Sequence, residues 1–568
     1  MATADTKEKV PLDDVTYDSN GSHDRDAAFE NEVPENGKLE RNLKGRHMQM
    51  IAIGGSIGAG LFVGSGSAFN DGGPGSVLIG FMIVGCMLLF TVQALGELAV
   101  LYPVNGAFFT YGCRFIDEAW GFAMGWDYAI GWLTVLPFEI TAAGITISFW
   151  RDDINIGVWI AVFLTLLIVV QVFGVRGYGE VEFFLGVIKV TAVIGFIIFG
   201  VVVDCGGVHS KVNRGYLGAH YWHDPGAFKN GFRGFCSVFV TAAFAFGGTE
   251  LVGLAAAEAA DPRKSLPTAT KQVFWRITGF YVISLFIVGL ILPSDDPNLL
   301  GSSGANTKAS PFVLAIQLAG VSGLPSVFNA VITISVLSVA NSCTYGSTRT
   351  MQALAARGMG PHFLTYIDSK GRPIWCVVLQ LIFGLLAFVN EASSGSDFFT
   401  WLLSLSGLSY FFVWGSICLS HIRFRQGWKA QGHTLDELPF QAQFGIIGSY
   451  IGLFLNCIAL IATFYTALFV SYLPKTQFSL RHCSNAPHIA PGGCPAAIAF
   501  FQEYLAAPIV IALFIFWKIW TRNKGGFFVK KSQMDLLTGM RTFDLDPLEN
   551  AAGFRKQSMA MRIVHNVV

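Results

Sequence analysis

Residues 51–66 read IAIGGSIGAGLFVGSG and residues 244–250 read FAFGGTE, and each lies inside a run apolar enough to cross a bilayer. A hydrocarbon span takes about 20 apolar residues, and glycine inside a helix costs about 1 kcal/mol relative to alanine. Six glycines between Gly54 and Gly66 therefore suit a straight span poorly. Small residues let helices approach closely, glycine permits an unwound backbone, and free N–H groups at a half-helix start hold anions. Tight helix packing alone is one reading. The glycine density favours another, an interrupted first span whose backbone from Ser56 through Ile57, Gly58 and Ala59 to Gly60 faces an anionic ligand group.

The second stretch has the same character. Phe244, Ala245, Phe246 and Gly247 lead into an ionisable Glu250 at membrane depth, where a carboxylate is costly and normally faces a cavity or a proton path. A continuous helix that ends early is the alternative. Breaks in the first and sixth spans point to a five-plus-five inverted repeat with a ligand near the midplane.

Bulk numbers support the membrane assignment. Of 568 residues, 52% are hydrophobic and 13% charged, and mean hydropathy is +0.51. That leaves too little charged surface for a water-soluble fold. Net charge is zero, so no field draws nucleic acid. The ten cysteines contain no CxxC pair, and neither a zinc cluster nor a disulfide scaffold is indicated. No metal or cofactor site is expected.

The expected fold is an all-α polytopic membrane protein of 12 transmembrane helices, at about 48–69, 75–98, 122–148, 157–174, 183–204, 232–256, 272–292, 322–347, 375–390, 399–419, 445–469 and 503–520. With a cytosolic N-terminus, the inside segments hold 22 Lys and Arg and the outside segments 8, which orients both ends to the cytosol. Residues 1–45 are acidic and polar and read as a disordered cytosolic tail. Residues 46–522 form the transport domain, and 523–568 a cytosolic C-terminal tail along the inner face. Cys483 and Cys494 share an outside loop, either as a disulfide or as two free thiols.

Four stretches carry a family resemblance: MIAIGGSIGAGLFVGSG from Met50, FCSVFVTAAFAFGGTELVGLAAAEAADPRKSLPTATKQVFWRI from Phe235, LSVANSCTYGSTRTMQALAARGMGP from Leu337 and WLLSLSGLSYFFVWGSICLSHIRFR from Trp401. The sequence resembles the fungal amino acid permeases of the amino acid–polyamine–organocation superfamily, above all the general amino acid permeases, over about residues 40 to 545. The resemblance implies discontinuous helices 1 and 6, two additional helices beyond the repeat, and proton-coupled uptake of L-amino acids. It implies that Gly54 to Gly60 with Ser56 hold the substrate carboxylate, that Phe244 covers the bound side chain, and that Glu250 is protonation-sensitive. By the same resemblance Lys189 looks like a proton-coupling group. A structural ammonium on first-span carbonyls is the other reading.

Other polar residues are read directly. Glu139 and Lys189 lie too deep for easy snorkelling. Glu139 is expected to receive the substrate amine or a cationic side chain, with a structural ion pair as the alternative. Glu97, at the end of the second span, is either a helix-end carboxylate or an inner-gate partner. Asn341 and Tyr345 share a helix face on a polar stretch fit to line the route. The expected partners are L-amino acids, protons, the lipid bilayer and cytosolic trafficking or ubiquitylation machinery at the tails. The leading function is broad, proton-coupled amino acid uptake at the plasma membrane. A narrow permease for proline, basic or aromatic amino acids and a nutrient-sensing transceptor are the alternatives. Paired carboxylates, a metal triad and a phosphate loop near a soluble pocket are all missing from the sequence, so no enzyme is expected.

Overall fold

The computed structural model describes residues 45–540, apart from 152, 173, 209–214, 260–261, 301–309, 370, 392–394, 473–495 and 523–525. The N-terminal tail, the end of the C-terminal tail and the Cys483–Cys494 loop lie outside the described residues. The rest is helical. Seven stretches among the described residues are long and apolar enough to cross a membrane, and four shorter apolar helices accompany them.

Helix α1 covers Gly45–Ser56 and leads through a wide turn at Gly60–Gly64 into α2, Ser65–Leu101. Gly73 interrupts α2 with φ +79°, a left-handed conformation that suits glycine, and Pro74 opens the next helical run. Neighbours on α7 (Gly231–Phe246) prove a reversal at this point. A Cβ at Gly64 would lie 3.4 Å from Thr241, one at Gly72 would lie 2.7 Å from Gly234, and one at Gly80 would lie 2.8 Å from Val238. The chain thus runs along α7 and back, giving two antiparallel helices.

Helix α3, Ala107–Phe115, precedes α4, Glu118–Ile147, whose first turn is capped by the Asp117 carboxylate accepting from the Ala119 and Trp120 amides. Then come α5 (Ile156–Val172), α6 (Gly174–Asp204) and α7. Gly247 and Gly248 end α7, and the chain resumes as α8, Leu251–Leu254, continued by a tighter turn at Ala255–Glu258. The remaining long helices are α9 (Pro262–Ile291), α10 (Leu324–Ala356), α11 (Ile374–Gly384), α12 (Gly395–Ala430), α13 (Gly445–Tyr472) and α14 (Ala506–Trp520).

Burial sorts these helices into a centre and a rim. The most apolar window of Gly231–Glu258 is wholly buried and that of α4 is 83% buried, against 33% for α6 and α13. Helix α6 turns Phe184 and Ile198 outward, while Glu182 and Lys189 on its other face are fully buried. Its outer face is apolar and exposed, and its inner face meets protein.

Two boundaries differ from expectation. Helix α6 begins at Gly174 rather than 183, because Glu180 and Glu182 lower the local hydropathy of a turn that is helical all the same. Helix α10 continues to Ala356, past 347, since Arg349 and Gln352 are buried despite their polarity. Part of the C-terminal segment also packs on the bundle. The Val529 amide donates to the Ile116 carbonyl at 2.8 Å, Tyr102 Oη donates to the Leu536 carbonyl at 2.8 Å, and Met534 and Leu536 are buried.

Candidate functional site

The two interrupted segments lie against each other at the backbone level. Gly248, at φ +93°, leaves no room for a side chain: a Cβ there would lie 2.6 Å from the Gly55 carbonyl oxygen. A Cβ on Gly60 would lie 2.6 Å from the Ala245 Cα. Tyr281 of α9 bridges both strands of this contact, its hydroxyl 2.7 Å from the Ser56 carbonyl and 2.8 Å from the Ala245 carbonyl. Carbonyls released by the interruptions thus gain a shared donor, as buried backbone requires.

The first break is narrow. The Ile57 amide still donates to the Ile53 carbonyl at 3.1 Å, and Ser56 Oγ donates to the same carbonyl at 3.3 Å. Irregular backbone is confined to Ile57 and Gly58. The Ala59 amide faces the Glu139 carboxylate, whose Oε1 is 3.4 Å from the place of a Gly58 Cβ. Glu139 Oε2 is buried and has no hydrogen-bond partner among the described residues. Pro137 sits two residues before it in α4 and removes one ladder hydrogen bond there.

Lys189 reaches the opposite side of the first break, where Nζ donates to the Gly54 carbonyl at 2.6 Å. Glu182, two turns earlier on the same face of α6, lies against Gly54 as well. It accepts from Ser338 Oγ at 2.6 Å and from Asn341 Nδ2 at 2.8 Å. Asn341 Oδ1 accepts from Gln171 at 3.1 Å. Asn341 is therefore engaged by α5 and α6, and Tyr345, one turn on, stacks on Tyr178 at 4.9 Å beneath Arg349. Both residues are thus joined to the α6 face.

Glu250 occupies the second break. It accepts from Tyr128 Oη at 3.0 Å and the Gly248 amide at 3.2 Å on one oxygen, and from Trp414 Nε1 at 3.2 Å on the other. Aromatic rings close the space around it. Tyr410 stacks on Trp414 at 5.5 Å, a Gly247 side chain would collide with the Tyr410 ring, and Phe244 meets Phe138 edge-on at 4.8 Å. Phe246 packs on Tyr281 at 4.7 Å, away from Phe244. The arrangement is a buried carboxylate and an aromatic wall beside two abutting helix ends.

Glu97 has a separate set of partners. Arg425 holds it through two 2.6 Å bonds, the Ala442 amide donates to it at 2.6 Å, and His421 Nε2 lies 3.0 Å away. It ties α2 to α12 and to the loop leading into α13. Sequence reasoning missed three further buried acids. Glu182 is described above, Asp127 accepts from Ser409 at 2.8 Å, and Glu258 pairs with Arg349 at 2.8 Å. Each lies on a span or at its end with 5% exposure or less, and a search for every acidic residue near a span would have found them.

A polytopic helical protein with two interrupted helices abutting around buried charges has the construction of a membrane transporter. The chain belongs to the amino acid permease family, which matches residues 47–528, and it transports amino acids. Amino-acid permease inda1 of Hypocrea atroviridis is 50% identical over 93% of this chain and 89% of that relative. General amino-acid permease GAP1 of Saccharomyces cerevisiae is 48% identical over 92% and 84%. Cationic amino acid transporter 1 of Schizosaccharomyces pombe is 51% identical over 89% and 82%. Among solved structures, a manganese transporter of Eremococcus coleocola aligns with a TM-score of 0.48 and 12% identity over 86% of this chain and 98% of that one.

Proposed function

We propose that this permease is a proton-coupled symporter that takes up a broad range of L-amino acids across the plasma membrane. Twelve crossings in a five-plus-five inverted repeat with two further helices carry it, and both termini are cytosolic. The observation that carries the reading is the meeting of the two breaks, Gly55 against Gly248, with a buried lysine on one side and buried carboxylates on the others. The substrate carboxylate binds at the first-span backbone between Ser56 and Gly60, its amine turns toward Glu139, and Phe244 covers the side chain. Lys189 and Glu250 are the proton-carrying candidates. Relatives called general amino-acid permeases in two fungi support breadth.

A narrower cationic permease is the second reading. It is favoured by the unpartnered, buried Oε2 of Glu139 and by a relative named for cationic amino acids. Competition uptake separates the two. A permease-deficient fungal cell expressing the chain is given labelled leucine, a panel of all common amino acids and, separately, a protonophore. Broad inhibition and loss of accumulation with the protonophore are expected. Inhibition by lysine and arginine alone would replace the first reading by the second, and accumulation indifferent to the protonophore would overturn proton coupling.

A further inference from the structure

Resting on the symport reading, the geometry points to Glu182 as the counter-charge of Lys189: a positioning residue through which the proton on that lysine is tied to helix α10. Glu182 and Lys189 are seven residues apart on the buried face of α6, both fully enclosed, and both meet Gly54, in the last turn of α1 before the first break. Lys189 Nζ holds the Gly54 carbonyl at 2.6 Å, while the Glu182 carboxylate lies where a Gly54 side chain would be. An alanine at Gly54 would strike the Glu182 carboxylate and come into ordinary contact with Ser338 at 3.5 Å. Glycine at this position is what lets the acid approach the broken helix.

The carboxylate is held by α10 alone. Ser338 and Asn341, one turn apart, donate to its two oxygens at 2.6 and 2.8 Å. Helix α10 also runs along α4, which carries Glu139. The other titratable groups facing the pair are Glu139 from α4, Cys343 from α10, Tyr281 from α9 through Glu139, and Tyr178 from α6 itself. Lys189 is the cation among the groups that act on Glu182, and Glu182 and Glu139 are the anions that act on Lys189.

Charge balance supplies the coupling. A proton on Lys189 compensates the Glu182 charge, and with that proton gone neither Glu182 nor Glu139 faces the cation that acts on it, which is strongly disfavoured for buried carboxylates. The proton therefore leaves readily only when α1 or α10 moves and the Glu182 carboxylate gains water or another donor. Proton release is thereby linked to separation of α10 from α6, the movement that frees Ser338 and Asn341. A lysine bonded only to a carbonyl would lack this link.

The test uses the full chain in permease-deficient cells, with labelled leucine uptake measured across pH and surface abundance followed by labelling. Glu182→Gln keeps the side-chain shape and removes the charge. Its half-maximal pH is expected to move toward acid by about one unit, because removing a buried opposite charge disfavours the protonated lysine. Glu182→Asp should restore the wild-type midpoint at least in part. An unchanged midpoint in Glu182→Gln, with uptake lowered only in proportion to surface abundance, would overturn the proposal and leave symport standing. Wild-type uptake independent of pH and protonophore would overturn symport itself and this proposal with it. If Glu182→Gln does not reach the surface, Glu182→Gln combined with Lys189→Gln carries the test, since it leaves neither charge alone. Surface abundance of the double variant above that of either single variant supports the pair, because each single variant strands one buried charge, and abundance no higher than theirs overturns it.

Discussion

The two breaks solve the same backbone problem with opposite chemistry. At Gly54 the interrupted helix is gripped by charged side chains from another helix, Lys189 on its carbonyl and Glu182 against its Cα, and these charges answer to one another. At Gly248 the break is stabilised by its own chain's Glu250, folded into neutral donors: a phenol, an indole and a backbone amide. A paired charge can be given up when its partner moves, whereas an anion in a cage of donors is fixed by the cage. On the symport reading, that difference makes the first break the proposed place of proton exchange and the second a fixed point of the backbone.

Lys189→Met gives the largest effect expected from that contrast. It removes the donor on Gly54 and strands Glu182, and breaking a buried pair by deleting one partner costs about 3–5 kcal/mol. Concentrative uptake of labelled leucine should fall by ~100-fold or more, since each 1.4 kcal/mol is tenfold. Surface labelling should still find the protein. Accumulation within a few-fold of wild type would return Lys189 to a structural role.

Gly248→Ala attacks the second break. A side chain at φ +93° is strained by about 1–3 kcal/mol, and its Cβ would sit 2.6 Å from the Gly55 carbonyl oxygen. The two costs act together on the closure of the site. Thermal unfolding of the solubilised chain should shift down and uptake should fall more than tenfold. Gly279→Ala on α9 is the control, because a Cβ there meets nothing within 4 Å. Equal behaviour of the two variants would show that the breaks are not held in backbone contact.

Glu139 lies nearest the first break and tests which substrates use it. Removing one member of a desolvated charge pair costs about 2–5 kcal/mol. Glu139→Gln should therefore raise the Km for lysine by ~30-fold, the value for 2 kcal/mol, and that for leucine by only a few-fold. Initial uptake against concentration at fixed external pH decides it. Equal losses for both substrates would place Glu139 on the common α-amine.

How far the sequence disclosed this arrangement follows the same division. Glycine density announced both breaks, and Lys189, Glu139 and Glu250 were visible as charges inside apolar runs. Glu182 was hidden because hydropathy averaging began the span at 183, one residue after it, although the helix starts at Gly174. Asn341 was read as lining the route, and the partners of its amide, Glu182 and Gln171, about 160 and 170 residues away in the chain, were out of reach. Periodicity reports which face of a helix is buried, not which side chain it meets. The neutral cage around Glu250 draws Tyr128 and Trp414 from two other helices and was out of reach for the same reason.

The smallest expected effect, and the one that separates the two breaks most directly, is that of Glu250→Gln. The carboxylate accepts from three donors and faces no cation among the described residues. Glutamine keeps one oxygen, which can still accept from Tyr128 and the Gly248 amide. Its –NH2 then confronts either the Trp414 N–H or that pair, leaving a buried donor unsatisfied at a cost of about 1–3 kcal/mol. Uptake capacity should drop about tenfold, in step with a lower surface abundance or a lower unfolding temperature. If Glu250 only fixes the break, the pH at half-maximal uptake stays where it is in the wild type, because no proton carrier has been removed. If it exchanges the coupled proton, the pH dependence and the protonophore sensitivity vanish together, as they should for Lys189→Met. The pH profile of the protein that does reach the surface therefore decides between cage and carrier, and a lost profile would erase the contrast between the two breaks.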